Sequence, residues 1–147
     1  MNRLSDFDYG SNRCYFITVC TKEKFELFGE IVDGRIILSD IGKIVQMEIE
    51  VLKTIYDSVR IRNFVIMPNH VHFIVQIRNA HGKPTISQLV QQWKGAISKK
   101  AGYSPWQKLF HDHVIRNEQG FLKISNYIDN NIKNWHTDCF NPKNNPT

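Results

Sequence analysis

Two histidines separated by one apolar residue, His70 and His72, lie at the start of an apolar run in the stretch MPNHVHFIV. Side chains alternate between the two faces of a strand, so both imidazoles would project to one side while Val71 points into a core. Neutral imidazole is a common metal ligand, and a strand holds both rings with little entropy left to lose. The pair therefore predicts half of a metal site. The alternative is two polar residues on an open sheet face.

A tyrosine and an asparagine near the C-terminus, Tyr127 and Asn131, are spaced to lie one turn apart on one side of a helix. If that helix covers the open sheet face, its phenol and amide would approach the histidine pair. Such a set suits phosphodiester chemistry, in which a divalent ion polarises a phosphate oxygen and the tyrosine oxygen attacks phosphorus. The alternatives are an ordinary half-buried tyrosine and a polar residue near a helix end. The apolar stripe of this helix comprises Phe121, Ile124, Ile128, Ile132 and Trp135.

The hydrophobic patterns predict the elements that position these residues. The expected order is strand, two-strand ribbon, helix, strand, strand, helix, strand, helix. This order contains a β-α-β-β-α-β core, the ferredoxin-like α+β arrangement with an antiparallel sheet, helices on one face, and a further C-terminal helix that carries Tyr127. The predicted strands are 14–21, 59–67, 70–77 and 109–115, and the ribbon is 31–38 around Asp33-Gly34. The three predicted helices run from the cap Ser39 to about 55, from the cap Ser87 to about 100, and from the cap Asn117 to about 135.

Length and composition predict the broad class of protein. The 147 residues fit one domain, 1–147, with a tail expected to be mobile from about Asn141, and a net charge of +5 favours an anionic partner. Three cysteines without metal-type spacing indicate reduced thiols. The chain has no apolar run of membrane-spanning length, and its polar start from Met1 to Tyr9 lacks a signal-peptide core. We therefore expect a cytoplasmic location and no membrane partner.

Ordered sequence blocks along nearly the whole chain give it a recognisable signature. It resembles the REP-associated tyrosine transposases and, more distantly, the small insertion-sequence transposases of the HUH single-strand nuclease superfamily. The blocks are Tyr15-Phe16-Ile17-Thr18, Leu27-Phe28-Gly29-Glu30-Ile31, Val65-Ile66-Met67-Pro68-Asn69-His70-Val71-His72, Trp106-Gln107, Phe110-His111-Asp112-His113-Val114-Ile115-Arg116, Tyr127-Ile128-Asp129-Asn130-Asn131, Trp135, Asp138 and Asn141-Pro142.

The resemblance implies a role for each candidate residue. His70 and His72 fall on the metal-binding histidine pair of the family, Tyr127 falls on its nucleophile, and Asn131 falls where relatives offer a further metal ligand. It implies dependence on Mg2+ or Mn2+, cleavage of single-stranded DNA beside a hairpin through a 5′-phosphotyrosine, and DNA transposition, with a homodimer as a possible state. Because Mg2+ prefers oxygen ligands, two imidazoles favour Mn2+.

The chain departs from many relatives directly after the paired asparagines. Asn130-Asn131 is followed by Ile132 where those relatives have proline. Because nothing here interrupts helical hydrogen bonding, we expect the helix to continue through Asn131.

Several other residues are candidates for DNA contacts. Phosphate contacts are expected from cations, and stacking from Trp93, Phe64 or Phe73, although Trp93 also fits a core position. The segment His111-Asp112-His113 repeats the alternating spacing, and its place in the resemblance favours a structural or DNA-contacting role over a competing metal pair. His81 and His136 are expected at the surface. The expected DNA-binding cations are Lys94, Lys99, Lys100, Arg116 and Lys123.

Three functions are compatible with the sequence. The leading hypothesis is a metal-dependent single-stranded DNA endonuclease and strand transferase acting at hairpin, REP-like DNA. The second is a catalytically inactive ferredoxin-like module that binds nucleic acid. The third is a metal hydrolase that does not use the tyrosine, which two histidines and an amide would support poorly.

Overall fold

The computed structural model describes residues 12–78 and 84–144. Within them the chain forms six strands and three α-helices, together with short 3₁₀ turns at Lys22–Lys24 and Trp135–Thr137. The strands are β1 (Arg13–Cys20), β2 (Gly29–Val32), β3 (Arg35–Leu38), β4 (Val59–Ile66), β5 (His70–Ile77) and β6 (His111–Ile115), and the helices are α1 (Asp40–Ile55), α2 (Ile86–Ala101) and α3 (Glu118–Asp129).

Four strands form the central sheet in the order β4-β5-β1-β6, and each neighbouring pair is antiparallel. This is the strand order of a ferredoxin-like α+β fold, so the predicted fold class is confirmed. The remaining two strands, β2 and β3, pair as the predicted ribbon around Asp33-Gly34. Both turn residues have positive φ, 52° and 74°, which matches the twist that a two-residue hairpin requires.

The sheet separates two hydrophobic clusters. On one face, Val71, Phe73 and Val75 of β5 belong to the larger cluster, which includes Val45 and Ile49 of α1 together with buried residues of α2. On the opposite face, residues of the sheet join Phe121 and Ile128 of α3 in the smaller cluster. Alternation along β5 sends His70 and His72 to the α3 side, so the C-terminal helix covers the face that carries the histidines.

Two features fix α3 over that face. The side-chain nitrogen of Asn63, next to a bulge in β4, donates hydrogen bonds to Ser125 Oγ and Asp129 Oδ1, both at 2.9 Å. At the start of α3, Asn117 Oδ1 accepts from the Gly120 amide at 2.8 Å, as the predicted cap should. The register of α3 against the sheet is therefore set by polar contacts as well as by packing.

Three predicted boundaries are wrong. The second helix begins at Ile86, because Thr85 and Gln88 form a capping box that places Ser87 inside the helix. Strand β6 begins at His111 and not at Leu109, whose side chain is exposed. The third helix ends at Asp129 and does not continue to Trp135. There the Asn130 side chain donates to the Asn126 carbonyl, and the Asn131 amide shifts to an i−3 bond with Ile128.

The remaining expectations about the chain can also be compared with the structure. The three cysteines are free, as expected. In the described part of the predicted tail, Asn141 is buried and its side chain donates to the Trp135 carbonyl at 3.0 Å, while the mobility of the tail stays a prediction. Residues 145–147 and the polar start 1–11 lie outside the described residues. No helix in the described ranges is both long and apolar enough to cross a membrane.

Candidate active site

The two histidines lie side by side in the interior. Their ring centroids are 4.6 Å apart, and His70 and His72 are 0% and 2% exposed. His70 directly follows the two-residue Pro68-Asn69 turn that joins β4 to β5, and the Met67 amide closes this turn by donating to the His70 carbonyl at 2.8 Å. The pair is therefore carried by the start of a fully buried strand.

Asn69 fixes the protonation of His70. Its side-chain nitrogen donates to the carbonyls of Lys24 and Phe140, at 3.2 and 2.8 Å, so its Oδ1 must face the imidazole. That oxygen lies 2.8 Å from His70 Nδ1 and can only accept. The hydrogen of neutral His70 is therefore on Nδ1, and the lone pair of Nε2 is left available.

Thr18 holds His72 in a similar way. The two residues are cross-strand partners of β1 and β5, and Thr18 Oγ1 lies 2.9 Å from His72 Nδ1. This contact engages Nδ1 of His72 and leaves Nε2 as the ring nitrogen without a contact. In both rings, then, the same nitrogen is free.

Burial keeps both imidazoles neutral. Desolvation lowers the pKa of His72 to about 4, and desolvation together with repulsion from His72 lowers the pKa of His70 well below its usual value. At neutral pH both rings can therefore act as metal ligands without first losing a proton.

Tyr127 reaches the histidines from the last turn of α3. Its ring centroid is 5.4 Å from that of His72 and 6.2 Å from that of Phe16, in edge-on contacts, while 45% of the residue remains exposed. Burial and the nearby Asp138 carboxylate raise the pKa of the phenol. The tyrosine is consequently protonated at neutral pH, and any attack by its oxygen must include loss of that proton.

Asn131 completes the cluster from the turn after α3. It is 2% exposed, and its side chain influences the pKa of both His70 and Tyr127, raising the former and lowering the latter. Tyr127 and Asn131 line a cavity of about 240 Å³ together with Asn134, Thr137, Asp138 and Cys139. The predicted meeting of phenol, amide and imidazoles therefore occurs within one chain.

Three buried atoms of this cluster have no hydrogen-bond partner within the described part of the chain: His70 Nε2, His72 Nε2 and Asn131 Oδ1. Leaving a buried polar atom unpaired is costly, and such atoms in a native structure call for an explanation. His70 Nε2 and Asn131 Oδ1 carry lone pairs, and His72 Nε2 does so when Thr18 Oγ1 accepts from Nδ1, so a cation is a partner that fits all three. Among the described residues, no group of three or more His, Cys, Asp and Glu is placed so that it could hold a metal.

Sequence reasoning missed several contributors to the site. Phe140 stacks on His70 with centroids 4.2 Å apart, and Asp138 acts on Tyr127 from the same segment. Nothing in the spacing of these residues links them to β5. Thr18 and Asn69 stood within the quoted sequence blocks without a role, and alternation of side chains along β1 could have placed Thr18 on the histidine face.

The predicted DNA-binding cations are distributed over both faces of the molecule. Lys99, Arg116 and Lys123 are exposed. Lys94 was expected at the solvent, which is wrong: it is buried, and its ammonium donates to the carbonyls of Gln107 and Lys108 at 3.0 and 3.3 Å. Lys100 forms an ion pair with the buried Glu48 of α1.

The aromatic candidates for stacking lie in the core. Trp93 and Phe73 are buried in the larger cluster, and Phe64 packs against it, so none of them forms an open stacking surface. His111 and His113 are exposed on β6, opposite Thr18 and Phe16 of β1. His136 is exposed as expected, and His81 lies outside the described residues.

Sequence comparison connects the chain to one bacterial relative. No protein-family model matches it. An uncharacterized protein of Haemophilus influenzae is 34% identical over 160 aligned positions, which cover 92% of this chain and 89% of that protein. Identity at this level over nearly the full length of both shows that the two chains belong to one protein family.

Two solved structures share the fold. A REP-associated tyrosine transposase bound to a REP hairpin matches with a TM-score of 0.65 and 21% identity over 81% of this chain and 66% of that one. A candidate transposase from Deinococcus radiodurans matches with a TM-score of 0.56 and 15% identity over 88% and 97% of the two chains. The resemblance to the REP-associated tyrosine transposases is thus confirmed at the level of the fold. The match spans slightly less than two thirds of the hairpin-bound transposase.

Proposed function

We propose that this protein is a metal-dependent single-stranded DNA endonuclease and strand transferase that acts at hairpin DNA in transposition. The observation that carries the proposal is the convergence of three unpaired buried donor atoms, from His70, His72 and Asn131, beside a half-exposed tyrosine. The shared fold supports it, since one structure of this fold is a tyrosine transposase bound to a REP hairpin.

His70, His72 and Asn131 would hold the metal ion, through two nitrogens and one amide oxygen. When bound, Mg2+ or Mn2+ supplies positive charge that stabilises the negative charge developing on the phosphate. The nitrogen-rich donor set favours Mn2+ over Mg2+. The chain's own part is to present both imidazoles neutral and aligned, through Asn69 Oδ1 on His70 and Thr18 Oγ1 on His72.

Tyr127 is the proposed nucleophile. Its Oη forms a bond to the scissile phosphorus, the bond from phosphorus to the 3′ oxygen breaks, and the phosphate remains as a 5′-phosphotyrosine. The phenol loses its proton as the new bond forms, and the departing 3′ oxygen takes up a proton. Because one phosphoester replaces another, the bond energy is retained for rejoining to a new 3′-OH.

The geometry needs no second subunit, because Tyr127 and His72 of the same chain are in ring contact. Formation of a homodimer stays a prediction. The exposed cations Lys99, Arg116 and Lys123 are proposed phosphate contacts, and Lys94 is not, since its ammonium is already engaged by two carbonyls.

A covalent-adduct assay tests this function. The protein is incubated with Mn2+ and a labelled hairpin oligonucleotide that carries single-stranded flanks, and adducts are resolved by denaturing gel electrophoresis. Tyr127→Phe should abolish the adduct, whereas Tyr56→Phe, which alters a tyrosine packed against the larger cluster on the opposite face of the sheet, should leave it unchanged. Wild-type adduct yield in Tyr127→Phe would refute the nucleophile, and cleavage without any adduct would indicate a tyrosine-independent hydrolase.

A second function, hairpin binding without turnover, is favoured by one observation. Both histidines are covered, and the Phe140 ring stacks directly on His70, which restricts access to the pair. Tight, metal-independent binding of hairpin DNA with no cleavage across many flanking sequences would support this function over the first.

A further inference from the structure

An open groove of about 830 Å³ lies beside the Lys22–Lys24 turn. Two segments form its walls, 22–27 after β1 and 103–108 after α2. Aromatic and apolar side chains dominate the lining. The lining residues are Lys22, Glu23, Phe25, Leu27, Tyr103, Ser104, Pro105, Trp106, Gln107 and Lys108.

The groove presents two open aromatic side chains above a buried one. Phe25 is 55% exposed and Tyr103 46%, whereas Trp106 is 3% exposed and packs on Phe28 and Trp93 beneath them. A contiguous exposed apolar surface, unlike a single exposed residue, is typical of a ligand-binding groove or an interaction site. Exposed aromatic side chains, such as Phe25 and Tyr103 beside the buried Trp106, can stack on flat, uncharged ring systems.

Backbone contacts join the two walls. The Lys22 amide donates to the Pro105 carbonyl at 2.9 Å, and Thr21 and Trp106 form a β-bridge. Within the turn, Glu23 and Lys24 have φ values of 51° and 59°, which are unfavourable for residues with a side chain. Strain of this kind persists where the surrounding contacts impose it and is concentrated at functional segments.

The segment around the Lys22–Lys24 turn contacts both the groove and the histidine site. The Lys24 carbonyl accepts from Asn69, which orients His70, and Thr21 Oγ1 donates toward the carbonyls of Phe25 and Asn69. Lys24 Nζ lies 5.8 Å from the centroid of the Phe140 ring that stacks on His70, and its charge lowers the pKa of that histidine. A ligand that reaches from one site to the other would therefore pass this ammonium.

The charge of the lining fits a ligand with a phosphate backbone. Lys22 and Lys108 stand on the two walls against a single lining carboxylate, Glu23, and Lys24 stands between the groove and the histidines. Proteins that bind single strands combine such cations with stacking aromatics. A duplex offers no free base faces to a groove of this kind, whereas an unpaired segment does.

We propose that the groove between Phe25 and Tyr103 binds unpaired nucleobases of the same DNA strand whose phosphate lies at the histidine pair. This assignment rests on the proposed function. It specifies the substrate as a hairpin with a single-stranded flank that must cross the Lys22–Lys24 turn, so hairpin and flank contribute separately to affinity.

Binding measurements in the Tyr127→Phe background, where no strand is cut, test the proposal. Fluorescence polarisation compares a blunt hairpin with the same hairpin extended by six unpaired nucleotides. The extension should increase affinity, and Phe25→Ala with Tyr103→Ala should lower affinity for the extended hairpin by about tenfold while leaving that for the blunt hairpin unchanged. Met47→Ala, an exposed apolar residue of α1, is the matched control.

Crosslinking locates the contact. With 5-iodouracil placed at each unpaired position in turn, irradiation followed by mass spectrometry should identify Phe25 or Tyr103 as the modified residue. An extension that adds no affinity, an equal loss for both hairpins in the double variant, or crosslinks only outside the groove would each overturn the proposal. These outcomes leave the nucleophile assay unaffected, because adduct formation by Tyr127 is scored separately on wild-type protein.

Discussion

Asn69 Oδ1 lies 2.8 Å from His70 Nδ1, in the only orientation that the two donor contacts of the Asn69 amide allow. The side chain of Asn69, a turn residue, thereby sets the tautomer of the neighbouring His70. A histidine that binds metal through Nε2 is generally held at Nδ1 by such a partner, which also raises its basicity. The turn between β4 and β5 thus orients the proposed metal ligand as well as joining the strands.

The first prediction concerns this contact. Asn69→Ala removes the acceptor and should weaken binding of Mn2+ by about 10–100-fold, the usual effect of losing an outer partner of a metal-bound histidine. Isothermal titration with MnCl2 measures it. Asn126→Ala, which changes an exposed asparagine of α3, should leave Mn2+ affinity unchanged. Unaltered affinity in Asn69→Ala would separate the amide from metal binding.

Thr18 provides an independent version of the same test. Thr18→Val keeps the β-branched shape and removes only the hydroxyl that contacts His72 Nδ1 at 2.9 Å. We expect weaker Mn2+ binding than in wild type with little change in melting temperature. If Mn2+ affinity is retained, the orientation of His72 must be imposed by ring packing from Phe16 and Tyr127 instead.

The sequence was sufficient to predict the fold and the meeting of His70, His72, Tyr127 and Asn131, for a physical reason. Alternation in the buried strand and helical periodicity in the stripe of Phe121 and Ile128 are local patterns, and each element follows its own pattern. Because β5 is buried on both faces, its alternation is visible only through its polar residues, His70, His72 and Gln76. These residues reveal which side faces α3.

Sequence patterns missed two kinds of contact. The end of α3 at Asp129 depends on a local one, because the side chain of Asn130 donates to the Asn126 carbonyl and competes with helical hydrogen bonding. The burial of Lys94 depends on carbonyls of a loop that follows α2. Lys94 fits a solvent-exposed helical position when only neighbours three or four apart are considered. The same limit explains why Phe140 could not be placed against His70.

A second prediction concerns stability in acid. The pKa of His72 is about 4 in the folded chain and 6.5 in the unfolded chain, so between these values only the unfolded chain takes up the proton. Stability contributed by the neutral ring is present above pH 6.5 and falls by about 1.4 kcal/mol per pH unit as the pH drops toward 4. Urea unfolding measured at pH 7, 6, 5 and 4.5 should show the decline, to which His70 adds in the same direction.

His72→Gln should reduce the slope of that decline, because glutamine does not titrate. His136→Gln serves as the matched control, since this histidine is exposed and carries no burial cost. An identical pH profile for wild type and His72→Gln would show that the ring is hydrated in solution and its pKa unshifted.

A third prediction separates two neighbouring lysines of α2. Lys100→Ala leaves the Glu48 carboxylate, 5% exposed, without its partner and should lower the free energy of unfolding by about 1 kcal/mol, a value limited by the half-exposed lysine. Lys99→Ala should change it by less than about 0.5 kcal/mol. If Lys100→Ala weakens DNA binding, the double variant Lys100→Ala/Glu48→Leu is the comparison, because it also removes the unpaired carboxylate.

The last prediction concerns the joint between α1 and the ribbon. A Cβ placed on Gly42 would lie 2.1 Å from the Phe28 carbonyl oxygen, which already accepts from the Ser39 amide at 2.9 Å and cannot retreat freely. Alanine normally stabilises a helix interior relative to glycine by about 0.5–1 kcal/mol. At this position we expect the clash to dominate, so that Gly42→Ala lowers stability by about 1–3 kcal/mol.

Gly95→Ala on α2 is the comparison that isolates the cause of this effect. It has the same helical setting, but no heavy atom lies within 4 Å of its Cβ position, so propensity alone should act and the variant should gain stability. Chemical denaturation of the two variants should therefore give changes of opposite sign. Stabilisation in both would mean that α1 can move away from Phe28, and the Ser39 cap, whose hydroxyl donates to the Leu27 carbonyl at 2.6 Å, would then have to lengthen or break.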